Sequence, residues 1–154
     1  MDTHGKRGFT LIELVIVLLL AGIMAAIAAP SFNTYMKNSR LNGAARIVMT
    51  DLMFARGLAA SENNLVRVFF VNSRTYKILD DDNGDGMQNN SELYVRTRDI
   101  RNEYHDVSIS SNVSPLTFQP NGTVSGSTAS ITLNNAEGDT KKITVSLPGR
   151  VKIN

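Results

Sequence analysis

The side chains whose spacing best fits a chemical task are oxygen donors between residues 81 and 92, which read DDNGDGMQNNSE. A carboxylate or amide stands at the first, third and fifth positions, a glycine at the sixth and a glutamate at the twelfth. In such a loop alternate side chains converge on one cation, glycine permits the sharp turn, and the last carboxylate can bind through both oxygens. The sequence therefore predicts a calcium site on the following residues: Asp81, Asn83, Asp85, Met87 (through its carbonyl), Asn89 and Glu92.

The flanks of this loop differ from those of helix–loop–helix calcium sites. Ile78-Leu79 before the loop and Leu93-Tyr94-Val95 after it are typical of strands. Asp, Asn and Gly are also the residues that turns use, so an acidic β-hairpin turn is the alternative interpretation. Three of the predicted ligands, Asp81, Asp85 and Glu92, are carboxylates that would repel each other without a cation, and calcium is therefore the one cofactor that we expect.

Catalysis has little support in the composition. The chain has no Cys, which excludes disulfides, thiolate zinc sites and a cysteine nucleophile. Of the two histidines, His4 lies at the N-terminus, and His105 has no nucleophile motif near it. No nucleophile elbow, phosphate-binding loop or dinucleotide fingerprint occurs. We therefore expect a protein that is not an enzyme.

Basic residues near the C-terminus are the candidates for a nucleic-acid contact. The net charge of +2 gives no general reason to expect DNA as a partner. Arg150 and Lys152, with Lys141 and Lys142 nearby, could nevertheless contact phosphates without reading sequence. The alternative is that these charges protect the edge of a sheet from aggregation.

An apolar block of 21 residues, from position 9 to position 29, carries a single charge. As a helix it would span about 30 Å, the thickness of a bilayer core. Lys6 and Arg7 precede it, so the positive-inside rule keeps the N-terminus in the cytoplasm and exports the rest of the chain. The small residues before Pro30 also allow signal-peptidase cleavage, which is one alternative. A signal-anchored periplasmic calcium-binding domain, which would keep the apolar segment, is another.

Glu13 is the single charge within the apolar block. A carboxylate in a membrane helix costs on the order of 3 kcal/mol unless it has a partner. No basic residue of the same helix lies within reach after Arg7. The partner would therefore come from another chain, and a free α-ammonium group is the natural candidate.

The segment Gly8-Phe9-Thr10-Leu11-Ile12-Glu13 resembles the cleavage and methylation motif of type IV prepilins and type II secretion pseudopilins. A short basic leader ends in Gly8, Phe9 follows it, and Glu13 is the fifth residue after the cut. Pro30 falls at the twenty-second mature position, where many pilins carry a helix-kinking proline.

The resemblance implies a processing and assembly pathway. Prepilin peptidase would cut between Gly8 and Phe9, and the new N-terminus on Phe9 would be methylated. The apolar segment would anchor the chain in the inner membrane and then form the core of a filament. Glu13 would neutralise the Phe9 ammonium of a neighbouring subunit, which would set the register between subunits because each charge is costly alone in a dry core.

The helical pattern continues after Pro30. Apolar residues recur at intervals of 4, 3, 4, 3 and 4 positions on one face, at Leu41, Ala45, Val48, Leu52, Ala55 and Ala59. This stripe predicts a helix over residues 9–62 whose second half packs against a sheet. Proline removes a backbone hydrogen bond, so we expect a kink or local melting at position 30.

Short segments rich in β-branched and aromatic residues follow position 64, separated by turns such as Pro120-Asn121-Gly122. They predict antiparallel hairpins in one or two small sheets, and so an α+β, pilin-like fold with one long N-terminal helix. The predicted division is a leader over 1–8, a membrane and filament-core helix over 9–29, an amphipathic continuation over 30–62 and a β domain over 63–154.

Three looser features resemble pseudopilin H of type II secretion and the FimT/FimU-type minor pilins. They are Leu52 with Ala55-Arg56, the turn Phe118–Gly122, and the closing segment Ile143–Val145 with Gly149–Val151. The resemblance implies a structural subunit of a type II secretion pseudopilus, with other pilins and prepilin peptidase as partners. A type IV pilus minor pilin, in pilus assembly or DNA uptake, is the alternative.

Overall fold

The computed structural model describes residues 8–87 and 94–154, with residues 29 and 30 described as backbone. The chain divides into two compact units, one that ends at Met36 and one that comprises Lys37–Asn154. Helix α1, Leu11–Glu62, contributes to both. It is helical without a break through position 30, so the prediction of local melting at Pro30 was wrong, whereas the alternative of a kink there stays a prediction. A proline removes one backbone donor, and the hydrogen bonds on either side are enough to keep the backbone helical.

The first unit consists of the apolar part of α1. Its large apolar side chains are all exposed, from Leu11 to Ile27. It is the one helix of the described residues that is long and apolar enough to cross a membrane. Such a surface needs a bilayer or other apolar helices around it, because water solvates it poorly.

In the second unit the predicted stripe of α1 is buried. The residues at 41, 45, 48, 52, 55 and 59 are at most 2% exposed, which confirms that this face of the helix is core. Four of the six are alanine or valine, and small side chains let the sheets approach the helix closely.

Among the described residues of the second unit, eight strands form two four-stranded antiparallel sheets. The first sheet has the order β3-β2-β1-β5 and comprises β1 (Leu65–Phe70), β2 (Thr75–Asp81), β3 (Tyr94–Asp99) and β5 (Leu116–Phe118). The second has the order β4-β6-β7-β8 and comprises β4 (Ser108–Ser111), β6 (Ala129–Asn134), β7 (Thr140–Val145) and β8 (Val151–Ile153). A short 3₁₀ helix, Ile100–Asn102, links β3 to β4. The predicted α+β, pilin-like fold class is confirmed.

Both sheets and the helix share one core. Residues such as Val68, Ile78 and Phe118 come from the first sheet, and Ile131 and Ile143 from the second, all fully buried. The alternation of buried and exposed positions along β6 is regular, as expected for a strand with one face on the core and one in solvent.

One buried carboxylate joins the helix to the first sheet. Asp51 is 2% exposed and accepts a hydrogen bond from the Tyr76 hydroxyl at 2.6 Å. The Arg98 Nε donates to the same oxygen at 2.6 Å, and Arg96 donates to the other. The Arg96 guanidinium also lies over the Phe54 ring, 4.2 Å from its centroid. Three donors from two strands thus converge on one helical side chain.

The network changes the acidity of its members. Burial raises the pKa of Asp51, but the hydrogen bonds from Tyr76, Arg98 and Arg96 outweigh burial and hold it below its ordinary value. Burial, together with the hydrogen bond to Asp51, raises the pKa of Tyr76 far above its usual range. Asp51 is therefore ionised, and Tyr76 protonated, at neutral pH.

We expect Asp51→Asn to lower the free energy of unfolding by about 2 kcal/mol at pH 7, because two charge-assisted hydrogen bonds are lost. The pKa of Asp51 is lower in the folded chain than in the unfolded chain, where it is about 3.9. Ionised Asp51 therefore stabilises the fold at pH values above about 3.9, and this stabilisation is lost as the pH falls through the folded pKa. The variant should therefore lose less stability than the wild type between about pH 5 and pH 3. Thermal melts of the detergent-solubilised full chain measure both effects.

Glu62→Gln is the matched control, because it removes an exposed carboxylate from the end of the same helix. Equal melting temperatures for Asp51→Asn and Glu62→Gln at pH 7 would contradict the role of the network.

Candidate functional site

The N-terminus of α1 holds the residues of the predicted processing and assembly motif. Gly8 and Phe9 precede the helix, and Phe9 is 87% exposed. The Thr10 backbone N–H donates to Glu13 Oε2 at 2.8 Å, and the Thr10 hydroxyl donates to the same oxygen at 2.9 Å. The Glu13 N–H in turn donates to Thr10 Oγ1 at 3.3 Å. This is a reciprocal capping box, in which each residue satisfies an otherwise unpaired donor at the helix start.

Glu13 thus has a structural task in its own chain that the sequence analysis missed. The signal was present, because threonine followed three residues later by glutamate before an apolar run is the signature of a capping box. The predicted pairing of Glu13 with a neighbour's ammonium stays a prediction. The roles of Gly8, Phe9 and Pro30 also stay predictions.

The calcium loop is described only in part. Asn89 and Glu92 lie outside the described residues. Asp81 Oδ2 accepts from the Arg67 guanidinium, and Asp81 Oδ1 accepts from the Gly86 N–H at 3.3 Å. A second Arg67 nitrogen donates to the Gly84 carbonyl at 3.1 Å.

Asp82 Oδ1 accepts from the Asn64 amide outside the loop, whereas Asn83 and Asp85 bond within it. The Asn83 amide donates to Asp85 Oδ2 at 3.0 Å, and Met87 N–H donates to Asp85 Oδ1 at 2.7 Å. Within residues 8–87 and 94–154, no cluster of three acidic or histidine side chains could hold a metal. Calcium stays a prediction, and calcium titration of the full chain, followed by its melting temperature, would test it.

His105 is not part of a catalytic arrangement in the described residues. Its Nε2 lies 3.4 Å from Arg40 Nη1, which is also 3.6 Å from Asp106 Oδ2. Among the described residues, the ring has an arginine beside it and no nucleophile within hydrogen-bond reach. We therefore interpret these three residues as a surface cluster that holds the segment after β3 against α1.

Three segments singled out from the sequence meet at one point. The Arg56 Nε of α1 donates to the Gly122 carbonyl at 3.0 Å. A Cβ placed on Gly149 would lie 1.9 Å from that carbonyl oxygen and 2.9 Å from Arg56 Nε. Gly122 and Gly149 both have positive φ, at 76° and 79°. The helix, the turn after β5 and the β7–β8 hairpin are therefore joined where only glycine fits.

Arg150 and Lys152 lie together on the outer side of the second sheet. They line a cavity of about 220 Å³ with Thr144, Ser146 and Asn154. Neither has an ion-pair partner among the described residues. The contact of these two residues with DNA stays a prediction.

The two-sheet domain on a long N-terminal helix is the fold of pilins and pseudopilins, as comparison with solved structures shows. The type IV minor pilin FimU of Pseudomonas aeruginosa has a TM-score of 0.62 at 17% identity, covering 78% of this chain and 92% of FimU. The minor pseudopilin EpsH of Vibrio cholerae has a TM-score of 0.56 at 12% identity, covering 75% and 96%. At such identities the likeness concerns the fold.

The sequence comparisons define the family. The family model described as type II transport protein GspH matches residues 44–149, and the prokaryotic N-terminal methylation motif matches residues 3–29. The chain belongs to the GspH family, and its family and fold are those of structural pilin and pseudopilin subunits, with an apolar N-terminal helix suited to a membrane anchor.

Among curated relatives, the pilin-like protein PilA1 of Thermus thermophilus is 26% identical over 96% of this chain and 98% of its own length. The fimbrial protein EcpC of Eikenella corrodens is 49% identical over 39 residues, which is 25% of this chain and 26% of EcpC. This match therefore spans about a quarter of each protein.

We expect Gly149→Ala to lower the free energy of unfolding by about 2 kcal/mol or more, because a Cβ meets the Gly122 carbonyl in a backbone conformation that alanine disfavours. Gly126→Ala is the control, because Gly126 also has a positive φ but has open space around its Cβ position. The difference in melting temperature between the two variants isolates the close approach. Equal losses would show that the junction contributes nothing beyond backbone strain.

Proposed function

We propose that this chain is a minor subunit of the pseudopilus of a type II secretion system. The observation that carries the proposal is the match of the GspH model to residues 44–149, together with the methylation motif at residues 3–29. The two matches cover the β domain and the apolar end of the helix, which are the two parts that a pseudopilin needs.

The processing steps follow from the motif. Prepilin peptidase cuts between Gly8 and Phe9 at the cytoplasmic face, and the Phe9 amine is then methylated. The apolar part of α1 anchors the chain in the inner membrane, with the β domain in the periplasm, as the basic residues before the segment favour. The chain is a substrate of an enzyme and performs no catalysis itself.

Assembly transfers the apolar part of α1 from lipid into a filament of other pilins. Its exposed side chains, from Leu11 to Ile27, exchange lipid for neighbouring helices at little cost in hydrophobic free energy. Glu13 caps its own helix through Oε2 and pairs electrostatically with the Phe9 ammonium of the next subunit. The β domain, held on the second half of α1 by Asp51 and the Arg56 junction, remains outside the core for contacts with partner subunits.

A type IV pilus minor pilin is the second candidate. It is supported by the full-length similarity to the pilin-like protein PilA1 and by the likeness in fold to FimU. The two candidates share processing and assembly, and they differ in which filament contains the subunit.

We expect deletion of the gene to abolish release of exoproteins into the medium, with restoration by a plasmid copy, and to leave the sheared surface pilus fraction unchanged. Loss of surface pili with normal exoprotein release would overturn the pseudopilus proposal in favour of the second candidate.

Glu13 allows the charge pair to be separated from the helix cap. Glu13→Gln keeps an oxygen that can accept the Thr10 hydrogen bonds but removes the charge, whereas Thr10→Val weakens the cap and keeps the charge. We expect Glu13→Gln to reduce incorporation into filaments at least tenfold and Thr10→Val to reduce it far less, since an unpaired ammonium in a dry core is costly.

The yield of crosslinks in membranes between each variant and neighbouring pilin subunits, normalised to the membrane level of the variant, measures this effect. Wild-type incorporation of Glu13→Gln would show that Glu13 acts as a cap alone.

A further inference from the structure

The outer face of the second sheet has an unusual composition. Register places Ser110 opposite Thr132, Thr132 opposite Lys142, and Thr144 opposite both Ser130 and Lys152. We name this surface the hydroxyl face, and its members on the strands and at their ends are Ser108, Ser110, Ser130, Thr132, Asn134, Thr140, Lys142, Thr144, Ser146, Arg150, Lys152 and Asn154. Among the described residues of these strands, none that points to this side is acidic, aromatic or aliphatic.

The three cations of the hydroxyl face are available to a ligand. Lys142, Arg150 and Lys152 are exposed and form no ion pair within the described part of the chain. The arginines that face the helix are instead held by carboxylates, as Arg96 and Arg98 are by Asp51. Protection of a sheet edge does not account for Lys142, because β7 lies between β6 and β8.

The hydroxyl and amide groups are partly organised by the sheet. The Ser110 hydroxyl donates to the Thr132 carbonyl at 3.4 Å, and the Asn154 amide donates to Thr144 Oγ1 at 2.9 Å. A serine hydroxyl that donates to the backbone still has lone pairs directed outward. The face therefore offers several oriented neutral acceptors and donors beside three positive charges.

Neutral hydroxyl and amide groups outnumber the three cations of the hydroxyl face, and this indicates the chemistry of the ligand. We propose that the hydroxyl face binds an acidic polysaccharide, a polymer that carries many hydroxyl groups and a carboxylate on only some of its sugars. The carboxylates contact Lys142, Arg150 and Lys152, and the sugar hydroxyls bond to the serine, threonine and asparagine side chains between them. The open cavity beside Arg150 and Lys152 is the place where we expect one carboxylate-bearing sugar to bind.

Duplex DNA fits this surface less well. Four strands span about 14 Å, a length over which a duplex carries about eight phosphates. Three cations would meet the phosphates that face the sheet. The phosphate oxygens accept but cannot donate, so the side-chain oxygens of the face would find no donors on the backbone. The face also has no aromatic residue on which an unpaired base could stack.

The test is binding of the detergent-solubilised full chain to immobilised hyaluronate, which has a carboxylate on every second sugar. Neutral dextran and a duplex oligonucleotide serve as comparison surfaces. We expect saturable binding to hyaluronate, no binding to dextran, and weaker binding to the duplex at equal salt.

A pair of lysine variants and one double threonine variant test the charged and the neutral contacts separately. Lys142→Gln should weaken hyaluronate binding about tenfold and reduce its dependence on salt, whereas Lys141→Gln, the adjacent residue on the opposite side of β7, should leave both unchanged. Thr132→Val combined with Thr144→Val should weaken binding by a similar factor without changing the salt dependence, because only neutral contacts are lost. Melting temperatures confirm that each variant is folded.

Three outcomes would overturn the proposal. They are no binding to hyaluronate, equal effects of Lys142→Gln and Lys141→Gln, and duplex binding that equals hyaluronate binding and is insensitive to the threonine variants. The last would identify a phosphate-binding surface for DNA instead. Because the assay uses the isolated chain, its result is independent of which filament the subunit enters.

Discussion

The carboxylate of Asp51 fixes how the amphipathic half of α1 lies on the first sheet. A hydrophobic stripe alone could slide along a sheet, since apolar contacts have little directionality. Asp51 removes this freedom, because a buried charge is tolerated only where its donors are, and those donors are Tyr76 on β2 and Arg96 and Arg98 on β3. The alternation of Arg96 and Arg98 along one strand places both guanidinium groups on the side that faces the helix.

The Arg56 junction is a second polar anchor of the helix. Arg56 lies just over one helical turn from Asp51 and bonds to a backbone carbonyl, so it depends on the path of the turn at Gly122, after β5 of the first sheet. Gly149 brings the β7–β8 hairpin of the second sheet against the same carbonyl. A single helix thus carries two polar anchors for the β domain, and the small residues of its stripe allow the close packing between them.

The N-terminal part of the same helix is suited to an apolar environment, unlike the amphipathic part that packs on the sheets. From Leu11 to Ile27 every side chain except that of Glu13 is apolar, which suits lipid or a bundle of apolar helices, whereas from Leu41 onward only one face is apolar. The capping box of Thr10 and Glu13 closes the apolar end and satisfies backbone donors that lipid could not. A chain of this kind can present a sheet surface such as the hydroxyl face without disturbing its core.

The sequence by itself determined the helix, its apolar and amphipathic halves, the buried stripe and most strands, because each depends on local periodicity and on a strong membrane-length signal. The processing motif and the family were also readable, since they lie in contiguous residues. Tertiary structure alone decided the partners of Asp51, the meeting of Arg56, Gly122 and Gly149, and the composition of the hydroxyl face. These depend on strand order and register, which bring together residues up to about a hundred positions apart, and no local pattern encodes that pairing.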